Sequence, residues 1–178
     1  MGEIFTSSAR PFYQSVMIMN LQPISLEKYT EFAVYQFMRY GKQIEVEAVK
    51  EVYDRFDGIT SCVQRVLNVL FLKTAQGQIC TCEMVNNAVE YIIDMFNETY
   101  ADLLEKLPYK QRETFMAIAR EKKAKNVTSR NFIKKYHLQT VSAVNAAMRG
   151  LLEKDMVTED KGTYSIYDPF FAYWLLRQ

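Results

Sequence analysis

Along the chain, apolar residues recur at three- and four-residue spacing in seven stretches, each the signature of a helix with one face turned to a core. Leu26, Tyr29, Phe32, Ala33, Gln36 and Phe37 predict a helix that begins after the cap-like Ser25 and stops at Gly41. A second covers about Glu45 to Phe56, with Val46, Val49, Val52, Tyr53 and Phe56 inward, and Asp57-Gly58 closes it. A third covers about Thr60 to Thr74 with Val63, Val66, Leu67, Leu70 and Phe71; Gln76-Gly77-Gln78 then breaks the chain. A fourth, long helix runs from about Cys82 to Leu107 and carries Val85, Val89, Ile92, Ile93, Phe96 and Tyr100. Short connections between them predict an antiparallel bundle.

Beyond Leu107-Pro108 the pattern changes character. Tyr109 to Lys122 places Phe115, Ile118 and Ala119 on one face, Ser129 to Tyr136 does so with Phe132, Ile133 and Tyr136, and Val144, Ala147, Met148, Leu151 and Leu152 define a helix from Val141 to about Lys154. Two β-prone runs follow at once, Met156-Val157-Thr158 and Thr163 to Tyr167, around Glu159-Asp160-Lys161-Gly162, whose glycine supplies the positive φ of a hairpin turn. Three short helices and a hairpin in that order predict a winged helix-turn-helix over Pro108 to Gln178. Near the other end, Tyr13 to Leu21 reads as a strand covered on both faces, because Val16, Met17, Ile18 and Met19 form a nearly unbroken apolar run. Its backbone groups need mates. The wing, a second copy of the chain, or a sheet encoded upstream could supply them, and the last is favoured. The expected fold is therefore mainly α: a four-helix bundle, then a winged helix-turn-helix with a small β-hairpin, plus one strand near the N-terminus.

Composition narrows the picture. A content of 49% hydrophobic and 13% aromatic residues in 178 supports packed cores and argues against disorder. No apolar run reaches the roughly 18 residues of a spanning helix, and no leader pattern precedes the first element, so a soluble, cytoplasmic protein without membrane contact is expected. Cys62, Cys80 and Cys82 are odd in number and lack the spacing of a zinc or redox pair; reduced, buried thiols are expected, and no metal site. The net charge of +1 conceals a split. Through Leu107 there are 9 Lys/Arg against 14 Asp/Glu, net −5; from Pro108 onward there are 13 against 7, net +6.

A basic second half on a helix-turn-helix pattern points to a polyanion, while opposite charges would equally let the halves dock on each other. The exposed face of the second helix of the motif offers Gln139, Thr140, Ser142, Asn145 and Arg149, residue types that reach base edges and phosphates. Lys161 tips the wing, and Lys122, Lys123, Lys125, Arg130, Lys134 and Lys135 form a basic band. Winged helices also dock proteins, so the partner is DNA or protein. The aromatic tail Tyr167, Phe170, Phe171, Tyr173 and Trp174 is expected to pack in the core, and His137 to end a helix without a catalytic role.

An ordered set of short motifs adds a resemblance. Arg10-Pro11-Phe12-Tyr13 is followed by Ile18-x-x-Leu21-x-Pro23-Ile24, then Phe37-Met38-Arg39-Tyr40-Gly41 and Asp57-Gly58-Ile59-Thr60. Leu151-Leu152-Glu153-Lys154-Asp155-Met156-Val157 and Asp168-Pro169-Phe170-Phe171-x-x-Trp174-Leu175 close it. In this order the chain resembles the C-terminal part of an archaeal-type AAA+/STAND P-loop ATPase. The resemblance implies that residues 1–24 end the ATPase core, 25–107 form the helical lid and 108–178 the winged helix. It implies ATP and Mg as cofactors of a parent protein, with a missing N-terminal ATPase core as partner and oligomerisation of the parent. It also implies Arg10 as arginine finger and Gly58, Thr60, Gln64 and Arg65 as lid residues near the nucleotide. The chain itself contains neither the glycine-rich phosphate loop nor the acidic strand end that holds magnesium, so no catalytic residues are expected in it. The rival readings are a self-contained winged-helix transcriptional regulator and a protein-docking module.

Overall fold

Side-chain oxygens of Ser25, Ser129, Thr140 and Asp168 start four of the described helices, and left-handed residues turn the chain after several of them. In the computed structural model, which describes residues 23–178, Ser25 Oγ accepts from the Lys28 N–H at 3.4 Å and opens α1, Leu26–Arg39. The strand expected over Tyr13 to Leu21, and Arg10, lie outside the described residues. α2, Val46–Arg55, and α3, Thr60–Lys73, follow, with Gly41 (φ 68°), Asp57 (φ 50°) and Gly58 (φ 68°) turning the chain between them. Three positions expected inward are not: Phe32 and Val46 are each 51% exposed and Tyr167, at the end of the hairpin, 65%, and Ala48 takes the core place on α2.

The predicted fourth helix is two. α4, Glu83–Met95, ends where Phe96 leaves helical geometry (φ −104°, ψ 5°), and α5, Asn97–Glu105, restarts at once. The bend turns Tyr100 toward the C-terminal aromatics, and Asn97 Oδ1 accepts from Trp174 Nε1 at 2.8 Å. A second unforeseen feature is a parallel pair of two-residue strands, β1 (Gln43–Ile44) and β2 (Ile79–Cys80), in register Gln43 to Ile79. It ties the α1–α2 connection to the α3–α4 connection. Cys62 and Cys80 are buried as expected; Cys82, expected buried, is exposed at the start of α4.

The second half has the winged-helix order. α6 (Tyr109–Glu121), β3 (Ala124–Lys125), α7 (Arg130–Lys135), α8 (Val141–Glu153), β4 (Val157–Asp160) and β5 (Thr163–Ile166) build three helices against an antiparallel sheet ordered β3-β5-β4. The hairpin turns through Lys161 (φ 47°) and Gly162 (φ 76°), the two positive-φ residues of a primed turn, which matches the twist of the flanking strands. α9, Pro169–Leu175, then runs back onto the bundle.

One apolar core runs through both halves. Phe171 stacks on Tyr100 at 4.6 Å with 7° between the rings, and meets Phe115 of α6 edge-on at 5.2 Å. Phe170 lies 4.8 Å from Phe56, the residue that ends α2. Asp168 holds this helix in place: one carboxylate oxygen caps α9 by accepting from the Phe170 N–H (2.9 Å), and the other accepts from the Tyr100 hydroxyl (2.8 Å). Polar links add to the seam, with Tyr173 Oη donating to the Arg55 carbonyl (3.3 Å), Arg177 paired with Glu90 and Asp94, and Lys123 paired with Asp57 (3.0 Å).

Removing the cap and orphaning the Tyr100 hydroxyl together, as in Asp168→Ala, should destabilise by roughly 2–4 kcal/mol, read as a shift in the urea midpoint. Burial, and then the Asp168 carboxylate, raise the Tyr100 phenol above its ordinary 10.0. Folding thus favours the neutral phenol, so this contribution is full below about pH 10 and fades as pH climbs beyond it. Urea midpoints compared at about pH 8 and pH 11 should fall less in Tyr100→Phe than in the wild type. At Gly58 a Cβ would stand 2.7 Å from the Tyr53 ring in a left-handed backbone, so Gly58→Ala should cost at least about 1 kcal/mol by the same measurement.

Candidate nucleic-acid interface

The helix-turn-helix is set by its caps. Ser129 Oγ accepts from the Phe132 N–H at 3.2 Å to open α7. His137, at φ 54°, ends it, and buried Leu138 returns its N–H to the Ile133 carbonyl at 2.9 Å. Thr140 opens α8, its hydroxyl accepting from the Ala143 N–H at 3.2 Å and lying 3.1 Å from the Ser142 hydroxyl. Because Val144, Ala147, Met148 and Leu151 are buried, Ser142, Asn145, Ala146 and Arg149 share the outward face. Four of the residues expected there, Gln139, Ser142, Asn145 and Arg149, are exposed and uncommitted or nearly so, whereas the Thr140 hydroxyl is occupied by its cap. The Arg149 to Glu153 pair at 3.9 Å is solvent-exposed on both sides and so weakly held.

The basic band divides into committed and free cations. Lys135 donates to Glu121 Oε1 at 2.6 Å and lies over the Tyr136 ring, while Tyr136 Oη donates to the same carboxylate oxygen at 2.6 Å. These two donors hold the Glu121 carboxyl below its usual range, and the Glu121 bond raises the Lys135 ammonium in turn. Lys123 is paired with Asp57. Among the described residues Lys122, Lys125, Arg130 and Lys134 are exposed and join no ion pair. Lys161 sits on the wing turn directly after Glu159 and Asp160, both exposed.

The residues that the resemblance places near a nucleotide do not converge. Gln64 lines a groove of about 460 Å³ between α1 and α3, floored by Phe37, Leu67 and Phe71. Arg65 points to the other side, its guanidinium 5.3 Å and 5.4 Å from the ring centres of Phe96 and Phe170. There it borders a cleft of about 430 Å³ between the start of α3 and the sheet, beside Ser61, Thr158, Ser165 and Tyr167. Thr60 is the first residue of α3, and Gly58 is fitted against the Tyr53 ring, which accounts for a glycine there without any ligand. The Cys62 thiol on the same cleft is pushed up to about 11 by burial, which leaves it unreactive. Arg10 is outside the described residues. The cleft went unforeseen because its two walls are almost a hundred residues apart in sequence; the acidic approach to the wing was legible as Thr158-Glu159-Asp160 but was overshadowed by Lys161.

Among the described residues no helix is long and apolar enough to cross a membrane, and no group of His, Cys, Asp or Glu is placed to hold a metal. Neither a curated protein nor a solved structure matches the chain. A family model described as "Probable winged helix domain" matches residues 98–177, a span that takes in α5 as well as the elements from α6 to α9.

Proposed function

We propose that the winged helix binds duplex DNA, with α8 facing the major groove and the free cations before it on the phosphate backbone. The observation that carries this reading is the make-up of the outward face. It presents Ser142, Asn145, Ala146 and Arg149, small and polar, with no large apolar side chain except Val141 at its first turn. A protein-docking helix would present the reverse. The large exposed apolar residues lie mostly on the bundle instead, at Phe32, Tyr35, Met38, Tyr40 and Leu72. Lys134, Arg130 and Lys125 supply charge without breaking an internal ion pair, whereas Lys135 would have to leave Glu121 to contribute.

Titrating labelled duplex DNA at about 50 and 200 mM salt tests it. Binding should weaken steeply with salt, and Lys134→Ala and Arg130→Ala should each lower the salt slope by about 0.9, one phosphate contact. Arg149→Ala should cost roughly 1–3 kcal/mol on a preferred sequence and much less on a random one. No binding at the lower salt would overturn the reading in favour of protein docking.

A second reading rests on the resemblance of the ordered motifs. A helical bundle precedes a winged helix in the order expected of the lid and C-terminal module of an AAA+/STAND-like ATPase, with ATP and Mg held by a core encoded upstream. Sequence upstream of residue 1 decides it: a glycine-rich phosphate loop in the same reading frame supports the parent ATPase, and a stop codon directly before residue 1 excludes it, leaving a self-contained regulator.

A further inference from the structure

We propose that the wing is held out of the minor groove by its own carboxylates, so that the duplex is engaged through the major groove alone; this rests on the DNA-binding reading above. Glu159 and Asp160 are the last two residues of β4, exposed, next to a two-residue turn, and in no ion pair among the described residues. Glu159 stands opposite Tyr164, and Asp160 opposite Thr163, which in turn lies opposite Lys125 on β3. Neighbouring residues on a strand point to opposite faces. One carboxylate therefore stands on each face of the ribbon, and no rotation of the wing presents a face free of negative charge.

The charge gradient across the surface reinforces this. Residues 120–135 carry 7 Lys/Arg against 1 Asp/Glu, while residues 153–161 carry 2 against 4. The free positive charge therefore lies on α7, at Arg130 and Lys134, and on β3, at Lys125, while the negative charge is at the tip of the β4–β5 hairpin. The minor groove is narrow and, in A-tracts, the most negative part of the duplex surface. Within the hairpin Lys161 is one cation against two carboxylates, and Lys125 stands a strand further away, across Thr163. Leaving the wing outside lets α7 and the N-terminal half of α8 approach the phosphates bordering the major groove, while Asp160 and Glu159 stay in solvent.

The test uses the full chain and one A·T-containing duplex. The E159Q/D160N double variant changes two exposed side chains without altering shape, and a thermal melt matching the wild type confirms that it folds. At low salt it should bind roughly tenfold tighter than wild type, the gap closing as salt screens the repulsion. Saturating the minor groove with netropsin should leave wild-type binding within about twofold. Equal or weaker binding by the double variant, or displacement by netropsin, overturns the proposal while the DNA-binding reading stands. Failure of wild type and double variant alike to bind any duplex at low salt sinks both.

Discussion

The structure depends on the docking of a seven-residue helix, α9, across both halves of the chain. Its aromatic side chains lie in contact with α2, α5 and α6 at once, through Phe170 on Phe56, and Phe171 between Tyr100 and Phe115. Such a helix is too short to be stable alone, so its position comes from tertiary packing and from its cap. Asp168 serves both ends of that requirement by opening the helix and receiving the Tyr100 hydroxyl. The other polar links across the seam are the Trp174–Asn97 and Tyr173–Arg55 hydrogen bonds and surface ion pairs, the last individually weak. The opposite charge of the two halves is visible in this seam, at Lys123 with Asp57 and at Arg177 with Glu90 and Asp94, around a buried centre formed by Phe170, Phe171 and Trp174.

This arrangement frees one face of the winged helix while covering another. The side of the sheet carrying Thr158 and Ser165 faces the start of α3 across the cleft that Arg65 borders. The outward side of α8 faces solvent. A partner approaching the module therefore meets α8 and α7 first, and the bundle behind them is a rigid backing rather than a competitor for the same surface. At the seam Lys123 and Arg177 are paired with carboxylates of the bundle, while Lys125, Arg130 and Lys134 join no ion pair among the described residues.

Much of this was legible in the chain. Ser25, Ser129, Thr140 and Asp168 are residue types whose oxygens satisfy the free N–H groups of a first turn, and each opens a helix. The three-and-four spacing located most of the core, and the Lys161-Gly162 turn was marked by its glycine. What escaped detection lacked a period to carry it. Two-residue strands such as Gln43–Ile44 and Ala124–Lys125 show no alternation, and their pairing is a matter of which loops happen to lie side by side. The break at Phe96 is hidden because the apolar spacing from Val85 through Ile92 to Tyr100 continues across it unchanged. In the candidate site, Gln64 and Arg65 look alike as polar neighbours, yet adjacent helix positions are about a quarter turn apart, enough to send them into different grooves.

The break at Phe96 shapes how the molecule can move. An uninterrupted helix from Glu83 to Glu105 would behave as a stiff rod, passing any displacement of one end directly to the other. Here the two rods meet at a joint, and the residues just beyond it, Asn97 and Tyr100, are gripped from the side by Trp174, Asp168 and Phe171. Torque exerted on the winged helix by whatever it binds is thus delivered to the far end of the bundle through side-chain contacts, and the joint sets the axis about which the two rods would pivot if those contacts let go.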